Sequence, residues 1–60
     1  MDRVDLLASL SARIQEDLAK AQRAQRMGEI RNRWRHIGRA EAMAEAMVML
    51  GGSPPPVTSA

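Results

Sequence analysis

The chain has sixty residues, nine Lys or Arg against seven Asp or Glu, a net charge of +2, one aromatic side chain and no cysteine. The missing thiols exclude disulfides, Fe–S clusters and thiolate zinc sites together, and one His founds no metal site without a carboxylate cluster. A core of this size rarely supplies more than about 3–5 kcal/mol, so a chain without staples needs oligomerisation or a partner.

The first segment runs from Asp2 to about Met27. Asp2 followed by Asp5 suits an N-cap and an acid in the first turn, both favourable at the positive end of a helix. At 100° per residue, Val4, Leu7, Leu10, Ile14, Leu18, Ala21 and Ala24 fall in one stripe roughly 120° wide. Asp5, Arg13, Glu16, Lys20 and Arg23 lie opposite. Arg13 with Asp17 and Glu16 with Lys20 have the four-residue spacing of helical ion pairs, each giving a few tenths of a kcal/mol.

The second segment runs from about Glu29 to Leu50. Ile30, Trp34, Ile37, Ala44 and Val48 form its stripe, with Ala40 and Met47 on the flank. Past Gly38, residues Ala40, Met43, Met47 and Leu50 make a second seam on an adjacent face. One neighbouring helix cannot cover both seams, so the second is assigned to a contact between molecules. The interface candidates are therefore Ile30, Trp34, Ile37, Ala40, Met43, Met47 and Leu50. Met is suited to such a surface because its side chain is flexible and polarizable.

A single straight helix would set the two apolar stripes roughly 120–180° apart, on opposite sides of a rod. Gly28 follows Met27 where a left-handed residue ends a helix, and a turn there re-aims both stripes inward. The expected fold is all-α: a helical hairpin of residues 2–27 and 29–50, completed as an oligomeric bundle or on a partner. Residues 51–60, GGSPPPVTSA, read as a separate tail, because Gly51 ends the helix and Pro54 to Pro56 forbid its continuation. That composition favours a mobile, polyproline-like segment. The longest apolar run, Ala46 to Leu50, is too short for a bilayer, and the acidic N-terminus does not resemble a secretory leader. An intracellular, cytoplasmic location is expected.

Charge is unevenly spread. Between Lys20 and Arg39 lie seven cations, Lys20, Arg23, Arg26, Arg31, Arg33, Arg35 and Arg39, with Glu29 the only acid. The flanking stretches 1–19 and 40–60 each carry −2. A hairpin gathers the cations at its turn, forming a basic patch for an acidic protein surface or nucleic-acid phosphates. Against nucleic acid stand the low net charge and the absence of interleaved aromatics for base stacking. Trp34 reads as an anchor, in a core or at an interface, where Trp is enriched among energetically dominant residues. His36 is given no switch or catalytic role.

No nucleophile–base–orienter set can be assembled, and no Gly-rich phosphate loop precedes a helix. No catalytic residue, cofactor or metal is therefore expected. The run Gly38-Arg39-Ala40-Glu41-Ala42, continuing to Leu50 and Gly51, together with the Gly28 turn, resembles small phage and prophage helical-hairpin proteins. Ala40 stands where that pattern has a larger aliphatic, and the Arg-rich centre also departs from it. The resemblance implies a phage-associated accessory or virion protein and carries over no site residues. The expected function is a non-enzymatic interaction or assembly protein, self-associating or docked on a larger partner. The alternative is a small nucleic-acid-binding regulator using residues 20–39.

Overall fold

A computed structural model describes residues 2–57. The chain is an all-α helical hairpin, with α1 spanning Arg3–Arg26 and α2 spanning Ile30–Met49. The two helices pack along their length into a rod of 39 × 15 × 14 Å. Asp2 occupies the N-cap of α1 in an extended conformation, although its side chain makes no cap hydrogen bond. Asp5 stands in the first turn and Arg23 and Arg26 in the last, the charge order that complements the helix dipole.

Both helices end in the same way. Gly28, at φ +75°, follows Met27; its N–H donates to the Gln25 carbonyl at 3.2 Å, and that of Glu29 to Ala24 at 2.8 Å. Gly51, at φ +80°, repeats this after Leu50, donating to Val48 at 2.9 Å while Gly52 donates to Met47 at 2.8 Å. These paired reverse bonds form the Schellman motif, which satisfies carbonyls that the helix end leaves without partners. At Gly28 the motif turns the chain straight back, and α2 begins two residues later.

The inner stripe of α1 repeats at three and four residues: Leu7, Leu10, Ile14, Asp17, Ala21 and Ala24. Ile14 is fully buried, as is Ala40 of α2, and with Met47 they form the core cluster. Leu7, Leu10, Leu18, Met43 and Ala44 pack against it. Towards the turn the buried side chains become small, Ala21 and Ala24, with Ile37 from α2. Most of the apolar bulk thus lies in the half away from the turn.

Segment 51–57 is laid against the hairpin. Pro54 and Pro55 are half-buried, and Val57 packs on the core cluster. A side chain at position 52 would put Cβ 2.7 Å from Leu7 Cδ2, so Leu7 would have to shift to admit one. The mobile tail expected from composition meets a docked path as far as Val57; Thr58, Ser59 and Ala60 lie outside the described residues.

Candidate functional site

The second seam of α2 turns inward, and part of its first stripe turns outward, relative to the sequence-based expectation. Ala40 and Met47, assigned to a contact between molecules, are buried inside the hairpin, and Met43 and Leu50 are half-buried. Ile37 is also buried and Ala44 half-buried against α1. Ile30, Trp34 and Val48 of the first stripe stand 68%, 51% and 60% exposed, Ile30 and Trp34 being also among the interface candidates.

The cause lies on α1. Asp17 falls three residues after Ile14 and four before Ala21, squarely in the apolar stripe, and is 5% exposed. A buried carboxylate needs a donor, because leaving it without one costs far more than the bond itself contributes. His36 supplies it, with Nδ1 3.2 Å from Asp17 Oδ1. The carboxylate can only accept, so Nδ1 donates. Arg39 adds a longer contact, Nε to Asp17 Oδ2 at 3.9 Å, from a side chain that is mostly in solvent. Residues two apart on a helix point about 200° away from each other. Turning His36 towards Asp17 therefore sends Trp34 outward.

Asp17 does not pair with Arg13 on its own helix. Asp17 bonds across to α2, whereas Glu16 and Lys20 form the expected four-residue pair at 3.2 Å on the surface. Asp17 and His36 are the polar pair that sequence reasoning missed. The signal was an acid in phase with Ile14 and Ala21, which demanded a donor at the matching level of α2.

The seven cations lie on the last part of α1 and the first half of α2. Arg23, Arg26, Arg31 and Arg35 are exposed, and Lys20 and Arg39 are engaged by Glu16 and Asp17. Arg33 is half-buried, with its guanidinium carbon 4.9 Å from the centroid of the Trp34 ring. Such stacking is favourable and holds the ring partly covered. Met27, 68% exposed, adjoins this region. The turn end is therefore apolar and basic together.

Beside the buried pair lies a polar groove of about 350 Å³, lined by Arg13, Glu16, Asp17, Lys20, Arg39 and Met43. Its charges are mixed, and the carboxylate at its floor is already engaged by His36. Among the described residues no three His, Cys, Asp or Glu side chains come together to hold a metal ion. No helix of the described residues is long and apolar enough to cross a membrane.

No protein-family model matches the chain, and neither a curated protein nor a solved structure shows significant similarity to it.

Proposed function

We propose that this protein is a non-enzymatic interaction module that works by associating with copies of itself or docking on a larger assembly. One observation carries the reading. The hairpin buries few large side chains, yet leaves Met27, Ile30, Trp34, Val48 and Met49 in solvent along one helix and its turn. Isolated exposed apolar residues are ordinary, but several on one element of a chain this small mark a surface awaiting a partner. Trp34 is its natural anchor. The resemblance to phage helical hairpins is consistent with an accessory or virion component. Sedimentation and native mass measurement test the idea. An oligomer or stable complex is expected, and a folded, helical monomer at micromolar concentration contradicts it.

A second reading has its own observation, the exposed Arg23, Arg26, Arg31 and Arg35 around the turn. A nucleic-acid-binding regulator using them would bind with an affinity that falls steeply as salt rises, because each phosphate contact releases counterions. Flat affinity between low and physiological salt removes this alternative.

A further inference from the structure

We infer that the second copy docks antiparallel on the outer face of α2, across a two-fold axis passing beside Gly38. The inference rests on the self-association reading and adds its geometry. The face lies opposite the one that α1 covers.

The charges on that face are arranged in reverse about Gly38. Arg35 and Arg31 stand three and seven residues before it, and Glu41 and Glu45 stand three and seven residues after it. All four are exposed, and none has an ion pair among the described residues. Within one chain the arrangement is unfavourable: Arg31 and Arg35 are like charges four residues apart, and so are Glu41 and Glu45. An antiparallel second copy reverses the order. Arg31 then comes level with Glu45 of the second copy, and Arg35 with its Glu41. A parallel copy would set cation against cation and acid against acid. Arg31 and Glu45 lie within about 20° of Gly38 around the helix, so they meet near the centre of the face and favour the antiparallel order.

Size follows the same symmetry. Gly38 sits at the centre, and a Cβ built there meets nothing within 4 Å, so the glycine is not required by α1. In a helix interior glycine costs about 1 kcal/mol relative to alanine, and its benefit is the close approach of another backbone. Trp34, four residues before the axis, comes level with Ala42, four residues after it in the second copy. At each of those levels the small residue leaves room on the face.

The test uses two charge variants of the full chain. Arg31→Glu with Arg35→Glu makes the face wholly acidic; Glu41→Arg with Glu45→Arg makes it wholly basic. Sedimentation equilibrium gives the dimer Kd, circular dichroism reports helicity, and native mass spectrometry identifies mixed species. Each variant alone is expected to weaken its dimer by about tenfold or more through like-charge juxtaposition. Mixing them in equal amounts should restore a 1:1 heterodimer at least as tight as the wild-type dimer. A second arm exploits the absence of cysteine. Gly38→Cys should crosslink to its own copy under mild oxidation, whereas Ala19→Cys, exposed on α1, should not. Variants that associate as tightly as the wild type, with no crosslink at position 38, overturn this face while leaving self-association standing. A monomeric wild type overturns both.

Discussion

Removing the imidazole of His36 should expose how much the hairpin depends on one buried carboxylate. His36→Ala leaves Asp17, 5% exposed, with only the 3.9 Å contact to Arg39. A hydrogen bond to a charged group contributes about 1.5–3 kcal/mol. Against a stability of about 3–5 kcal/mol for a core this small, that is from about a third of the total to all of it. With a urea slope near ~1 kcal/mol per molar, the midpoint should fall by about 1.5–3 M. Asp17→Leu should cost less, about 1 kcal/mol, because the imidazole left behind is 20% exposed and water can reach it. The pair Asp17→Leu with His36→Leu removes both polar groups together and should return to wild-type stability or exceed it, since no charge remains to be desolvated. The assay is urea unfolding followed by circular dichroism, with protein concentration held constant so that association does not contribute. A His36→Ala midpoint within about 0.5 M of wild type would refute the reasoning. So would a double variant as weak as the two single losses added together.

Three further outcomes follow from the geometry. Gly28→Ala should cost about 1–2 kcal/mol in the same assay, because φ is +75° and nothing surrounds the added carbon, so the cost is that of the left-handed backbone alone. D-alanine at that position should restore it. Ile14→Ala, at a fully buried position, should cost about 2–5 kcal/mol and remove most helical signal at 25 °C; a folded variant would show that the core is sited elsewhere. Gly52→Val should lift the tail, since even its Cβ would stand 2.7 Å from Leu7 Cδ2. The nuclear Overhauser contacts from Val57 methyls to the core should vanish with helicity unchanged, and their persistence would contradict the proposed crossing.

The hairpin was legible because its determinants are local. Gly28 after Met27 marks a helix end on its own, and the stripe from Leu7 to Ala24 needs only the helical period. The facing of α2 was not legible in the same way. Ile30, Trp34 and Val48 outweigh Ala40 and Met43 in apolar bulk, so a ranking by hydrophobicity turns them inward. Burial of Asp17 reverses the ranking, because His36 has to face it and Trp34 is tied to His36 by helical geometry. A polar residue at one inner position commonly fixes register at a cost in stability. The tail was misjudged for a related reason: composition describes the isolated segment, whereas Val57 finds the gap beside Ile14, Ala40 and Met47.

The distribution of bulk along the rod also bears on how the chain folds. Near the turn the buried side chains are mostly alanines, so contacts that close first in sequence gain little. The pairs that gain most, around Ile14 with Ala40 and Leu7 with Met47, require a loop of more than twenty residues to close beforehand. Loop-closure entropy grows only slowly with length, so this order is tolerable. It implies that the hairpin does not zip from Gly28. Substitutions at Ile14 or Ala40 are then expected to slow folding, and those at Gly28 mainly to speed unfolding, as stopped-flow circular dichroism would show.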